Sequence, residues 1–305
     1  TQAYEDARET VRRFINAPSV DEIIFTRSST EGINLVAQSF GGMRIGEGDE
    51  IVISILEHHS NIVPWHYHRE RRGAVLKWAP VHDDGAFDVE AFEALLTERT
   101  RMVAIVHMSN VTGTVVPIKE VCRIAHERGI PVLVDGSQSA VHLPIDVQDL
   151  GCDFFVFTGH KTYGPSGVGV LWGKREHLDA MPPFMGGGEM IRDVTEDWVT
   201  YGDPPHRFEA GTPPIVQAIG LGAALKYMEG LGRDAIKALT INAAEILGVG
   251  ASIGSLEEGK IANLFIVDGD PLEVTTNVKN VIVNGRDVSL ENKHWLLWQR
   301  FMGRK

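Results

Sequence analysis

The sequence predicts an α/β protein in which helices cover both faces of a mostly parallel sheet, a three-layer arrangement. Three observations carry this. Seven short apolar, β-branched runs recur between residues 22 and 173, helical stretches separate most of them, and several runs are apolar throughout rather than alternating. Unbroken apolar strands are what a sheet buried on both faces requires. The 305 residues are enough for one large or two ordinary domains with a sizeable core.

The elements follow in order. Ala3, Ala7, Val11, Phe14 and Ile15 sit among charges at helical spacing, which predicts a helix over 2–16. Seven strands are expected at 22–27, 50–56, 75–79, 102–107, 131–135, 153–157 and 167–173, with helices near 31–39, 61–72, 88–97 and 117–129. Glycines at 186–188 and the 202–205 stretch predict a long irregular segment, followed by a helix over 214–229. The character changes around 236–242. Beyond it a short helix is expected at 242–247, strands at 263–267 and 278–283 with an Asn284-Gly285 hairpin turn, and an amphipathic helix at 293–302 carrying Trp295 and Trp298. The organisation is then a large domain over 1–235 and a small β-rich, helical tail over 236–305. No repeat or low-complexity tract interrupts it. The chain opens at Thr1 inside a helical pattern, so a natural start upstream is expected.

Charge narrows the partners. The chain carries 29 basic and 41 acidic residues, a net −12, and residues 241–305 hold only 7 and 8 of them. The acidity belongs to the first 240 residues and argues against a broad surface for nucleic acid or anionic membrane. No uncharged apolar run reaches the ~18–20 residues that cross a bilayer. Two cysteines, Cys122 and Cys152, make no disulfide framework, so the cytoplasm is the expected compartment. Both read as core thiols.

The chemistry collects where strands end, since an open α/β sheet binds its ligand beyond the carboxyl edge. After the first strand come Ser29 and Thr30 at a helix start, a phosphate cradle or, taken alone, a plain cap. The second strand leads to His58, whose imidazole could lie against a planar ring. His58, His59, His66 and His68 match no zinc-ligand spacing, and no metal is expected. Asn110 follows the fourth strand, and Asp135 and Gln138 end the fifth. The sixth leads into Thr158, His160 and Lys161. An acid at a buried strand tip needs donors or a cation, although Asp135 could equally cap a turn. A lysine straight after an apolar strand is placed for a lowered pKa and a Schiff base, unless it is a solvated loop residue. Together these parts fit pyridoxal 5'-phosphate. It needs a lysine, an acid at its ring nitrogen, a phosphate cup, a stacking ring, and donors to its phenolic oxygen.

The segments Ser29-Thr30-Glu31-Gly32-Ile33-Asn34, Glu57-His58-His59-Ser60-Asn61, Ser109-Asn110-Val111, Val134-Asp135-Gly136-Ser137-Gln138, Gly159-His160-Lys161-Thr162-Tyr163-Gly164-Pro165 and Arg207-Phe208-Glu209-Ala210-Gly211-Thr212 resemble the class V aminotransferase family. The likeness is to its cysteine desulfurase/selenocysteine lyase branch, within the fold-type I pyridoxal-phosphate transferases, and runs to about residue 235. The resemblance implies Lys161 as the aldimine lysine, Asp135 as the ring-nitrogen partner and His58 as the stacking ring. It gives Gln138 and Asn110 to the phenolic oxygen, and Thr30, Thr158 and His160 to the phosphate, which the helix start at Ser29 also serves. Thr212 would reach the phosphate of a neighbouring subunit, implying a homodimer. The branch acts on cysteine or selenocysteine, releases alanine, passes sulfur to an acceptor protein and serves iron–sulfur cluster assembly.

The family also carries a segment before the first helix, a mobile-loop cysteine that takes the sulfur, and an arginine for the substrate carboxylate. None has a counterpart in this sequence, so impaired desulfuration is expected, with a catalytically inactive remnant or scaffold as the alternative. From about 239 the sequence resembles metal-dependent amidohydrolases of the imidazolonepropionase/aryldialkylphosphatase type, through 239–248, 253–264 and 268–272. The ligands of that family lie in a barrel that is absent. The chain therefore reads as a fusion, and an amidohydrolase fragment is the lesser alternative.

Overall fold

The structure is a computed structural model, and it describes residues 1–231, 249, 251–252, 260–261, 263–267 and 278–288. The chain divides into two compact units, Thr1–Tyr227 and Met228–Lys305.

The first unit opens with helix α1 (Gln2–Phe14), which buries Tyr4, Ala7, Arg8 and Val11 along one stripe. Then come β1 (Ile23–Thr26), helix α2 (Ser29–Leu35), β2 (Glu50–Ser54), β3 (Val75–Ala79), β4 (Thr100–Val106), β5 (Val132–Asp135), β6 (Phe154–Thr158) and β7 (Gly169–Gly173). These are the seven predicted strands, shifted by at most two residues at most ends. They form one sheet in the order β1-β7-β6-β5-β4-β2-β3. All neighbours pair in parallel except β7, which runs antiparallel to both β1 and β6. Six carboxyl ends therefore share one edge. β1, β5, β6 and β7 are buried at every residue, the consequence of helices packing on the sheet.

The core cluster gathers Ile33, Phe40, Trp65, Met102, Phe154, Leu171 and Phe208, all buried. Each large apolar side chain contributes on the order of 1.5–3 kcal/mol by leaving water. At the sheet's other edge Asp153 is a polar knot. It accepts from the Val132 N–H at 2.7 Å and meets Lys174 at 2.7 Å, His126 at 2.7 Å and His177 at 3.1 Å. Those hydrogen bonds hold its carboxyl far below the usual range although burial opposes them.

Two expectations change in detail. The helix expected at 31–39 ends at Leu35 and continues as a wider turn over Val36–Gly41. The segment expected to be irregular contains a hairpin of β8 (Ile191–Val194) and β9 (Val199–Tyr201). Its residues are exposed on both faces, so the burial pattern that marks a strand is missing from the sequence. The helix expected at 214–229 spans Ile215–Leu231.

In the second unit β10 (Leu264–Val267), β11 (Val278–Val283) and β12 (Arg286–Val288) form an antiparallel meander. Asn284 and Gly285, at φ 50° and 73°, make the expected turn between the last two strands. The helices expected at 242–247 and 293–302, and most of the segments that resemble an amidohydrolase, lie outside the described residues.

Candidate functional site

Capping fixes where α2 starts. Ser28 caps it, its hydroxyl accepting the Glu31 N–H at 3.3 Å, while the Glu31 carboxylate accepts the Arg27 N–H. Ser29 and Thr30 are thus not needed as caps. Thr30 Oγ1 lies 2.8 Å from Ser60 Oγ, and Ser60 Oγ lies 2.9 Å from His58 Nδ1. One hydroxyl, on a residue with no role assigned from sequence, joins the cradle after β1 to the imidazole after β2.

The sixth strand reaches the same place through a glycine. Gly169 pairs with both Thr26 and Thr158 in the register of β7 with its neighbours. A Cβ at Gly169 would stand 2.4 Å from the Ser28 carbonyl carbon, so only glycine lets β7 pass under the start of α2. Thr158 Oγ1 in turn lies 3.0 Å from His160 Nδ1. Lys161 ends the single turn Gly159–Lys161 that follows β6. It is half-buried and makes no hydrogen bond or ion pair among the described residues.

Asp135 ends β5, the strand beside β6, in register with Val156. It is buried and accepts the Ser137 N–H at 3.0 Å. Gly136 follows because a Cβ there would fall 1.9 Å from the Phe155 ring. The acid and the amine thus leave adjacent strands at one edge. Gln138 is half-buried and Asn110 is exposed in the turn after β4. Neither hydrogen-bonds the other groups among the described residues. Thr212 is exposed and lines a separate cleft of about 250 Å³ with Arg27, Glu31 and Glu209.

A polar layer lies at the ends of β2, β4 and β5. Glu57 is buried, accepting from Ser54 Oγ at 2.5 Å, Asn61 Nδ2 at 2.7 Å and the Val106 N–H at 2.8 Å. Burial pushes its carboxyl up to about 8; these hydrogen bonds oppose the rise and the Asp135 charge adds to it. The His107 N–H donates to the Asp135 carbonyl. Its ring is buried, lowering its pKa to about 4. His107 Nδ1 and Ser137 Oγ are buried with no hydrogen-bond partner among the described residues. Buried polar atoms without partners are costly. Two of them, just beyond the ends of β4 and of the strand that bears Asp135, fit a site that receives a polar ligand. The donors, acid, amine and imidazole gathered at this edge fit the phosphate, ring nitrogen, aldehyde and ring face of pyridoxal phosphate.

The histidines near His58 go separate ways. His68 Nε2 lies 2.7 Å from the Ala37 carbonyl, and His66 sits against Trp78. Cys122 and Cys152 are buried, and burial pushes both thiols up, Cys122 to about 12.

The class V aminotransferase family matches residues 1–263. The chain belongs to that family. The match runs past residue 235, into the segment read from sequence as the tail. Among curated relatives, a probable cysteine desulfurase of Halalkalibacterium halodurans is 54% identical over 237 residues, covering 78% of this chain and 58% of the relative. Among solved structures, the cysteine desulfurase CsdA of Escherichia coli is 42% identical with a TM-score of 0.75, covering 80% of this chain and 61% of that one. A cysteine desulfurase of Thermococcus onnurineus is 32% identical with a TM-score of 0.74, covering 97% and 70%. The chain thus spans less than two-thirds of the length of that curated relative.

In this family member the segment 207–212 is held by its acid. Glu209 takes both guanidinium nitrogens of Arg8, at 2.6 and 2.9 Å, with the Phe25 N–H at 2.7 Å and the Tyr4 hydroxyl at 3.0 Å. Tyr4, Arg8, Glu57, Ser60, His107 and Ser137 were given no role from sequence. Glu57 alone left a local signal: a carboxylate directly behind an apolar strand end, as Asp135 is.

Proposed function

We propose that this chain carries the cofactor site of a pyridoxal-phosphate-dependent cysteine desulfurase acting on cysteine or selenocysteine. The observation that carries the reading is that Asp135 and the Lys161 turn leave adjacent strands, with Thr30, Ser60 and His58 clustered at the same edge. The names of the relatives support the activity. The cofactor, when bound, supplies an electron sink for a carbanion at the substrate α-carbon. Lys161 would hold the aldehyde end of the cofactor and take and return a proton at its Nζ. Asp135 holds the proton of the ring nitrogen, and His58 covers the ring face. Ser29, Thr30, Thr158 and His160 bind the phosphate, while Gln138 and Asn110 donate towards the phenolic oxygen. Thr212 serves the partner's phosphate in a homodimer, since its cleft is separate from Lys161.

Neither cysteine of this sequence can take the sulfur, because both thiols are buried and held protonated. Alanine release by this sequence therefore needs a thiol supplied from outside it, the role of an acceptor protein in iron–sulfur assembly. The same observation favours a second reading, a cofactor-binding scaffold without turnover. The proposed domains remain 1–235 and an amidohydrolase-like tail over 236–305. Among the described residues no helix is long and apolar enough to cross a membrane. A cytoplasmic place rests on the two-cysteine composition.

Adding pyridoxal phosphate to the purified protein should give a visible absorption band that Lys161→Ala abolishes. Absence of the band, or its survival in that variant, refutes the cofactor assignment. Alanine release from cysteine with added dithiothreitol separates the enzyme from the scaffold, which releases none.

A further inference from the structure

Glu57 is a buried carboxyl with no cation against it among the described residues. Its hydrogen-bond partners are all neutral: Ser54 Oγ and the Val106 N–H on Oε1, and Asn61 Nδ2 on Oε2. Asn61 is itself buried, and its Oδ1 accepts the indole N–H of Trp65 at 3.1 Å. The chain of donors has one direction, from Trp65 through Asn61 to Glu57. A carboxyl is expensive to bury, and a fully satisfied buried network fixes the groups it joins.

What it joins is specific. Asn61 ends the turn His59–Asn61, which follows directly on His58 and contains the Ser60 that bonds both His58 and Thr30. Val106 ends β4 and pairs in register with Asp135 on β5. Glu57 is therefore the clasp between the segment that carries the imidazole and the end of β4, the strand that pairs with the one carrying the acid. Among the described residues no other side chain of this layer bonds both the His59–Asn61 turn and the end of β4: Ser137 reaches Asp135 alone, and Ser60 reaches His58 and Thr30.

We propose that Glu57 is a positioning residue of the cofactor site, fixing the His58 turn relative to Asp135 so that ring face and ring nitrogen are met together. The inference rests on the pyridoxal-phosphate reading above. The carboxyl acts as an acceptor, taking the Ser54 hydroxyl on Oε1 at 2.5 Å. Oε1 also accepts from Val106 and Oε2 from Asn61. Glutamine cannot reproduce this. Its NH2 would face either the Val106 N–H or the Asn61 NH2, and turning Asn61 over would set its NH2 against the Trp65 N–H.

The test uses the whole chain loaded with pyridoxal phosphate, comparing wild type, Glu57→Gln and Ser54→Ala. The readouts are the cofactor Kd and the induced circular dichroism of the visible band, which reports how the ring is held. Far-ultraviolet dichroism checks that each variant folds. Glu57→Gln should weaken cofactor binding about tenfold and reduce or invert the induced band. Ser54→Ala, which keeps the carboxyl, should shift both in the same direction by about threefold. A folded Glu57→Gln with Kd within twofold of wild type and an unchanged band overturns the proposal. Should Glu57→Gln fail to fold, an unchanged Kd and band in Ser54→Ala overturn it instead. A wild-type protein with no visible band refutes the cofactor reading, whereas a wild-type band with unmoved variants refutes the positioning role alone.

Discussion

Replacing Glu209 with glutamine tests what holds the 207–212 segment on the first unit. The carboxylate accepts four hydrogen bonds: Arg8 and the Phe25 N–H on Oε1, Arg8 and the Tyr4 hydroxyl on Oε2. Arg8 is 1% exposed and the Glu209 side chain 6%, so water cannot take over either role. Glutamine keeps the shape but turns one oxygen into a donor, and whichever way it lies two donors lose their acceptor. The guanidinium keeps one hydrogen bond to the remaining amide oxygen, the Ile23 carbonyl and the half-exposed Glu5, but loses its buried carboxylate charge. Leaving a buried charge without its partner costs about 3–5 kcal/mol. With a slope of roughly 3 kcal/mol per molar urea, the unfolding midpoint should fall by about 1 M or more. Equilibrium unfolding followed by far-ultraviolet dichroism measures it. The paired variant Arg8→Met with Glu209→Leu should regain most of the loss, because an apolar pair leaves no charge uncompensated. A loss below about 1 kcal/mol in Glu209→Gln would refute the reasoning, since the pair would then be no more than a surface ion pair.

Three further outcomes follow from other parts of the fold. Glu57 is raised from 4.5 to about 8, so its carboxyl favours the folded state fully below pH 4.5 and loses that contribution as pH rises through about 8. The full span is on the order of 5 kcal/mol. The stability gap between wild type and Glu57→Gln should therefore narrow from pH 5 to pH 9, and a gap that widens contradicts the assignment. Asp153 has the opposite sign: its pKa is depressed below 3.8, so its contribution is present above that value and lost as pH falls. Asp153→Asn should cost about 2–4 kcal/mol at pH 7 and less at pH 3 in urea titrations, and equal losses at both would argue against the knot. Cys122 and Cys152 should react with a thiol reagent at pH 8 only on unfolding, and labelling of either in the native protein at the rate of a free thiol would contradict their burial.

How much of this was legible in the sequence differs from element to element. β5 and β6 announce themselves because three or four consecutive apolar residues have no other stable place than a covered sheet. The β8–β9 hairpin does not, because its exposed residues lack any alternation to read. Lys161 and Asp135 stood out as polar groups that directly follow such runs. Ser60 and His107 did not, because their meaning lies in what faces them: Thr30 is thirty residues from Ser60, and the atom that distinguishes His107 is one without a partner.

The amino-acid sequence by itself determined which segments are strands and helices, and which reactive side chains sit at their ends, since both depend on patterns a few residues long. Only the tertiary structure decided that β5 and β6 are neighbours, that β7 returns antiparallel between β6 and β1, and that Arg8 meets Glu209 across 201 residues. Those adjacencies are chosen by the joint burial of distant surfaces and by the pairing of polar groups that burial would otherwise strand. No local pattern in the chain records that choice.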